Sequence, residues 1–527
     1  METLPAPQPL LPDYICLNAK WHTRRLALVC GNTRLTWGEL SGRINQVANF
    51  LGVHQLKKGD RAAVLMSNGV PMFEMLLGTM TAGVVSVPIN VSISTESLLA
   101  MIQNSGSRAL FVSQDQLHHF EDESVRQRLF SLGVQCFCAF EEQNNKSNRV
   151  GFESLIDGVD QQSTEFSKVD FNGLDHLNII YSSGTTGDPK GIVHTHQGRR
   201  DWALDLALAL RVHSHAVTML NIGLYSNISW AGILTTLIMG GTCVIHKKFD
   251  AIAFLHTVEQ EKITHCAMVP VQYQRILTIL EAQSFELRSC VGMTSCGSPL
   301  FERTKKQLFK HFPCGIIELY GLTEGVITTL SPEDAEGRWD SVGKPMPGVD
   351  IKLVDEQGRE VSAGHKGEIV SRSRVTMPCY YNRNEATEAA KWIDSHGIVW
   401  MRTGDVGILD EEGFLYIVDR KKDMIISGGQ NIYPQDIEAK IAVHVNVEDV
   451  AVIGAPSKNW GETPIALIVA KDINTIDVED MKKWCNDRLG RQQKISDVIE
   501  VESLPRNANG KILKRELRKR FENKKYD

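Results

Sequence analysis

Residues 181–191 read Tyr-Ser-Ser-Gly-Thr-Thr-Gly-Asp-Pro-Lys-Gly, a stretch whose side chains suit an anion. The hydroxyls of Ser183, Thr185 and Thr186 can donate to phosphate oxygens, and Lys190 supplies a point charge. Glycines let the backbone approach a ligand closely and turn its N–H groups toward it. The segment is not a Walker A loop, which needs Gly-x4-Gly-Lys-Ser/Thr. Here Pro189 precedes the lysine and Gly191 follows it. Taken alone it is either a phosphate cradle or a solvent-exposed connector, because Gly/Ser/Thr runs serve as both.

Other reactive types recur further on. Cys296-Gly297-Ser298-Pro299-Leu300 is a small-residue turn, and Tyr320-Gly321-Leu322-Thr323-Glu324 closes an expected strand. Tyr320 offers a flat face for a ring, or simple core packing. Glu324 on its own reads as an exposed carboxylate. Thr403-Gly404-Asp405 and Asp419-Arg420 follow. Asp405 can accept two hydrogen bonds, as a vicinal diol requires, although aspartate after Thr-Gly is also a common turn residue. Pro505 to Lys511 precedes a basic end of chain, and Lys511 stands directly after the turn Asn509-Gly510. An unperturbed lysine pKa of about 10.4 would keep it cationic. His194-x-His196 places two histidines on one expected strand, where they could share a face. With no third ligand in view, a structural role is the expectation for them.

The elements that must hold these residues follow from hydrophobic period. Residues 35–51 repeat at helical spacing, with Thr36 as N-cap and Glu39 three residues on. Strands at 61–66, 84–88, 110–112, 177–181, 242–246 and 316–320, with a helix at 68–83, point to parallel α/β sheets covered by helices. Residues 141–170 read as a polar surface excursion. After about residue 343 come short strands at 349–354, 368–371, 407–409 and 414–418, an antiparallel β-subdomain. A helix from 435, strands at 447–453 and 465–469, a helix at 478–489 and a basic helix at 511–524 make a separate α+β lid. The expected domains are 1–421, including the β-subdomain at about 343–421, and 422–527.

Composition narrows the class. A chain of 527 residues exceeds one compact core, and a formal charge of −6 argues against a nucleic-acid binder. Its eleven cysteines include no Cys-x-x-Cys pair, which favours reduced thiols and a cytoplasmic location. The N-terminus lacks the basic and apolar regions of a signal peptide. Residues 216–245 carry no charge, but Asn221, Ser226, Asn227, Ser229 and four glycines interrupt them. A buried strand followed by a buried helix is expected there, not a transmembrane segment.

Six motifs in this order, over more than three hundred residues, resemble the adenylate-forming superfamily of acyl- and aryl-CoA synthetases, luciferases and peptide-synthetase adenylation domains. The resemblance runs from residue 35 to Lys511. It implies that a carboxylate attacks the α-phosphate of ATP, expels pyrophosphate, and is then passed as acyl group from AMP to a thiol. It implies ATP-binding roles for Ser182, Ser183, Gly184, Thr185, Thr186, Gly187, Gly297, Ser298, Tyr320, Gly321, Thr323, Asp405 and Arg420. Lys511, Thr323 and Lys190 would act on the reacting groups, and Glu324 would associate with Mg²⁺. Lys422 would be the hinge of a mobile lid, and Gly428 and Gly429 would reach the tunnel for the CoA thiol. Tyr225, Ser226, Asn227, Trp230 and Gly325 would border the acyl pocket.

The match departs in places. Ser226 stands where many relatives carry histidine, and Asn227 where amino-acid-activating relatives often carry aspartate. Cys296 and Cys379 replace usual glycines, and Asn507 a commoner threonine. Uncharged residues at 225–230, 293–296 and 326–327 suit an apolar acid tail. The expectation is an ATP- and Mg²⁺-dependent ligase joining a fatty or aryl acid to CoA. A separate acyl carrier protein as acceptor, a luciferase-like oxygenase and a non-catalytic nucleotide-binding protein are the alternatives.

Overall fold

The computed structural model describes residues 8–140, 151–182, 190–428, 430–471, 477–491, 493–507 and 510–526. Two largely parallel sheets build a large N-terminal domain. In the nine-stranded sheet, Lys344–Pro345, Ile327–Leu330, Ile317–Gly321, Gly292–Cys296, His265–Met268, Val217–Leu220, Thr242–Ile245, Leu26–Cys30 and Thr33–Thr36 lie side by side. The seven-stranded sheet runs Glu153–Ser154, Gln135–Ala139, Ala109–Ser113, Arg61–Leu65, Val85–Pro88, His176–Ser182 and Lys190–Thr195. Only the edges are antiparallel. Parallel strands bury both faces, and helices cover these.

The helix Trp37–Val53 begins as its sequence directs. The Thr36 hydroxyl accepts the Glu39 N–H, and the Glu39 carboxylate accepts the Thr36 N–H at 2.8 Å, a reciprocal capping box. This helix packs against Val70–Ala82, where Gly78 lies so close to Val47 that a Cβ would clash. The uncharged segment forms the strand Val217–Leu220, the helix Asn227–Met239 and the strand Thr242–Ile245. Trp230 and Leu234 on that helix are fully buried in the main core. At thirteen residues the helix is about 20 Å long, shorter than a bilayer core. Among the described residues, no helix is long and apolar enough to cross a membrane.

A five-stranded antiparallel sheet follows: Val349–Val354, Gly367–Ser373, Val399–Leu409 and Lys391–Ile393 in order, with Leu415–Arg420 also paired to Val399–Leu409. The C-terminal domain has its own sheet, Gln430–Ile432, Ile425–Ser427, Gly461–Ala470 and Val447–Ser457, with Asp497–Glu500 parallel to Gly461–Ala470. Pro434–Ile441 and Val478–Asn486 pack Ile437, Ile441, Met481 and Cys485 into one core of this domain. Leu517 of Lys514–Phe521 anchors a second core there.

Three expectations need correction. Within the stretch at 141–170, Ser154 caps a short helix, Leu155–Asp160, through the Asp157 N–H. His194 and His196 do not share a strand, because Lys190–Thr195 ends between them and His196 opens the helix His196–Ala209. The basic helix starts at Lys514 rather than 511. Asn507 and Lys511 close a turn first: the Asn507 N–H donates to the Lys511 carbonyl, and the Lys511 N–H to Asn507 Oδ1, both at 2.8 Å. That turn removes Lys511 from the helix.

Gly343 links the nine-stranded sheet to the antiparallel one. Its φ is +83°, and a Cβ there would lie 1.9 Å from the Thr329 carbonyl oxygen. Gly343→Ala is therefore expected to destabilise the large domain by roughly 2 kcal/mol or more. The readout is the urea midpoint by tryptophan fluorescence; an unchanged midpoint would contradict the close approach.

Candidate active site

The C-terminal ends of parallel strands are where open α/β sheets bind ligands. Here Gly292–Cys296 and Ile317–Gly321 are parallel neighbours, with Cys296 beside Leu319. Their ends carry Gly297 and Ser298 on one strand and Tyr320 to Glu324 on the other. Gly297 has a φ of +88° and Gly325 a φ of +130°. A Cβ on Gly325 would also strike the Thr376 backbone. The Leu322 N–H donates to the Val326 carbonyl at 3.2 Å, folding Thr323 and Glu324 into a tight turn.

Asp405 and Arg420 face each other across the strands Val399–Leu409 and Leu415–Arg420. Arg420 Nε is 3.2 Å from Asp405 Oδ1, and the Tyr320 hydroxyl donates to Asp405 Oδ2 at 2.8 Å. Burial, followed by the Asp405 charge, raises the Tyr320 pKa well above its ordinary value, so Tyr320 remains a neutral donor. Asp405 thus ties the aromatic ring to the antiparallel sheet.

The C-terminal domain closes over this group. Gly510 packs against Val269 of the large domain, where a Cβ would meet Val269 Cγ2 at 3.0 Å. Lys511 then enters a cavity of about 1240 Å³ lined by Gly297, Ser298, Tyr320, Asp405 and Arg420. Burial pulls the Lys511 pKa down to about 7, with Arg420 and Lys422 pushing the same way and Asp405 and Asp423 opposing. Lys422 is itself lowered, first by burial and then by Arg420. Three cationic side chains therefore converge where an anion would relieve their repulsion.

A second chain of contacts reaches Glu324. The strands His176–Ser182 and Lys190–Thr195 bracket the glycine-rich loop, with Ser182 opposite Lys190. Residues Ser183, Gly184, Thr185, Thr186 and Gly187 lie outside the described residues. Lys190 Nζ sits 5.0 Å from the Tyr380 ring centre, and the Tyr380 hydroxyl donates to Glu324 Oε1 at 3.0 Å. The backbone joins the same parts: the Tyr381 N–H donates to the Gly191 carbonyl, and the Met377 N–H to the Glu324 carbonyl. Among the described residues no three His, Cys, Asp or Glu side chains gather as an all-protein metal site. The donor set at Glu324 fits Mg²⁺, which commonly binds through one or two carboxylates plus substrate phosphates and water.

Thr323 is held from below. His194 Nε2 lies 2.9 Å from the Thr323 carbonyl oxygen, and Arg199 Nη2 lies 3.1 Å from His194 Nδ1. A guanidinium only donates. A backbone carbonyl only accepts, so the ring proton sits on Nε2 and donates to Thr323, while Nδ1 faces the Arg199 donor and the Asn178 side-chain amide at 3.0 Å. Burial, with Arg199 adding to it, holds the His194 pKa well below its ordinary value, so the ring is neutral. The motifs nominate neither Tyr380 nor Arg199, and for His194 they point to a structural role without its link to Thr323.

Other sequence-nominated residues lie apart. Gly428 packs on the indole of Trp460, and its N–H donates to the Trp460 carbonyl at 2.8 Å; it does not line the cavity. Gly429 lies outside the described residues. Ser226 caps Asn227–Met239 through the Ile228 N–H. Tyr225 folds against Gly223, and burial pushes its pKa up to about 12. Trp230 is wholly buried beside Arg199, 5.6 Å from ring centre to guanidinium carbon.

Known proteins with this organisation were found by comparison. Residues 17–381 match the family model described as AMP-binding enzyme, and residues 436–511 the AMP-binding enzyme C-terminal domain. A feruloyl-CoA synthase from Amycolatopsis sp is 32% identical over 93% of this chain and 95% of its own. The long-chain-fatty-acid–CoA ligase FadD13 of Mycobacterium tuberculosis is 30% identical over 93% of this chain and 94% of its own. The o-succinylbenzoate CoA synthetase MenE of Bacillus subtilis, solved with an acyl-adenylate, superposes with a TM-score of 0.83 at 27% identity, over 96% of this chain and 98% of that one. Another structure of that synthetase contains ATP and a magnesium ion, with a TM-score of 0.81 over the same shares. On the match over residues 17–381, the chain belongs to the AMP-binding enzyme family.

Proposed function

We propose that this protein is an ATP- and Mg²⁺-dependent carboxylate:CoA ligase acting through an acyl-adenylate on a fatty or aryl acid. The observation that carries the reading is the Lys511 amine, delivered from the C-terminal domain into a cavity shared with Tyr320, Asp405 and Arg420. Relatives named for fatty-acid, feruloyl and succinylbenzoate CoA ligation support the acceptor and the acid class. In the first half-reaction a carboxylate oxygen bonds to the α-phosphorus, and the bond to the bridging oxygen breaks, so pyrophosphate leaves with the electron pair. Both reactants are anions, so the protein contributes charge neutralisation and alignment. Asp405, steadied by Arg420, accepts the ribose hydroxyls. Tyr320, Gly297 and Ser298 flank the base. Thr323, held by His194, donates to the α-phosphate. Lys511 bridges that phosphate and the incoming carboxylate, while Lys190 and the loop before it hold the pyrophosphate. A magnesium ion held by Glu324, phosphates and water would offset phosphate charge. In the second half-reaction the CoA sulfur bonds to the acyl carbon and AMP departs.

The same reading divides the chain into a large domain at 1–421, with its β-subdomain at about 343–421, and a lid at 422–527. The lid turns about Lys422 and brings Gly428 and Gly429 to the thiol tunnel. The eleven cysteines are free thiols, which supports a cytoplasmic location.

Pyrophosphate exchange across a panel of acids tests this directly. AMP and pyrophosphate should form only with acid present, and steady turnover should need CoA. ADP and phosphate as products would overturn the reading.

Lys511 makes a separate expectation about pH. Only its protonated form attracts the anions, and its pKa in the free protein is about 7. The kcat/KM for adenylation should therefore fall as pH rises through about 7. Bound anions favour the cation, so kcat should hold to higher pH. Lys511→Ala should lose roughly two to three decades in adenylation, as for other preorganised electrostatic groups, and should lack that basic limb. A retained limb would assign it to another group.

A further inference from the structure

Arg199 is only 2% exposed, on the helix His196–Ala209. Its charge has no carboxylate partner among the described residues. The nearby acids are taken by other arginines: Asp201 by Arg200 at 2.7 Å, and Asp205 by Arg374. Its guanidinium lies 4.7 Å from the Trp202 ring centre and 5.6 Å from that of Trp230. Nη2 is occupied by His194, but Nε is buried without a hydrogen-bond partner. Trp230 Nε1 and Asn227 Oδ1 are likewise buried without partners. Asn227 and Trp230 are three residues apart on one helix, hence on one face.

A buried cation and orphaned N–H donors are each costly. Here two such donors, one on a guanidinium, occur at a single helix–helix contact. That contact is one imidazole and two hydrogen bonds from Thr323. A protein that needed only packing could use leucine here, as the rest of this core does. Its two orphaned donors outnumber the one orphaned acceptor, Asn227 Oδ1, and an anionic acceptor would satisfy the charge as well.

We propose that Arg199, with Trp230 and Asn227, forms a specificity subsite for a second carboxylate of the acid substrate, distal to the one that is adenylated. This deepens, and rests on, the ligase reading above. The preferred substrates are thus fatty or aryl acids bearing a further carboxylate, rather than tails that are apolar throughout. Trp230 N–H and Arg199 Nε donate to that group. Asn227 Oδ1 accepts from a bridging water.

The test compares matched acids by pyrophosphate exchange with the full-length protein: monocarboxylic acids, the same skeletons carrying a second carboxylate, and their half-esters. The wild type should favour the dicarboxylates by at least tenfold in kcat/KM over monoacid and half-ester. Arg199→Gln should lose at least tenfold more on a dicarboxylate than on its monoacid. Because Arg199 also supports His194, both substrates are expected to fall, and the ratio is the readout. Trp230→Phe keeps the ring and removes the donor. It should shift the same ratio in the same direction if the arginine variant does not fold. Exchange that favours monoacids, or equal losses on both substrates, would overturn the subsite and leave the ligase assignment intact. No exchange with any acid would instead count against the ligase reading itself.

Discussion

The central constraint is electrostatic. A nucleotide triphosphate and a carboxylate repel each other, and the fold must offset that repulsion without leaving its own charges stranded before they arrive. Asp405 is the internal counter-charge. It sits between Arg420 at 3.2 Å and the Tyr320 hydroxyl at 2.8 Å, and it draws on Lys511 from across the domain seam. Asp405 and Asp423 together do not balance Arg420, Lys422 and Lys511. Burial lowers the pKa of both lysines, and the Arg420 charge adds to it. A polyanion would reverse it, so the site is electrostatically incomplete in a way that favours nucleotide phosphate.

Much of the scaffold was legible because it depends on local rules. The Thr36–Glu39 capping box and the alternation of apolar strands with helices are encoded within a few residues of where they act. Motif spacing also nominated Tyr320, Asp405, Arg420 and Lys511, which do line one cavity. The missing information was pairing at a distance. Nothing near Tyr380 in the chain announces that it stands between Lys190 and Glu324. Nor does the pattern around His194 reveal that its ring fixes Thr323. Lys511 was expected to stay an ordinary cation, because burial between two domains has no sequence signature.

The floor of the site shows a different economy of polar groups. Most arginines here lie near the surface, where pairing costs little and contributes little. Arg199 instead spends one nitrogen on a neutral histidine and lies over two indoles, 4.7 and 5.6 Å from their ring centres. Aromatic faces partly compensate a desolvated guanidinium. The histidine must remain neutral to accept, and Arg199 itself disfavours the imidazolium. Arg199 thus helps keep His194 neutral, and Thr323 has its carbonyl held in place.

Contacts near Lys422 bear on how the lid could turn. Arg420 pairs with Asp405 on the large-domain side, whereas Arg518 pairs with Asp423 and Lys514 with Glu438 within the C-terminal domain. These stronger ion pairs do not cross the segment. Those that cross include the Gln435 N–H donating to Asp419 at 3.0 Å, Lys366 near Asp436 at 3.8 Å, and the packing of Gly510 on Val269. Asp419 is pushed up to about 6 by burial, against the pull of Lys514. A rotation at 421–422 would break these crossing contacts and the attractions of Asp419 for Lys514 and of Asp405 for Lys511, while the Arg420–Asp405, Arg518–Asp423 and Lys514–Glu438 pairs would stay within their own bodies. Hinge motion with intact bodies is what such a division of contacts permits, and it would carry Lys511 out of the cavity as one piece with Gly428.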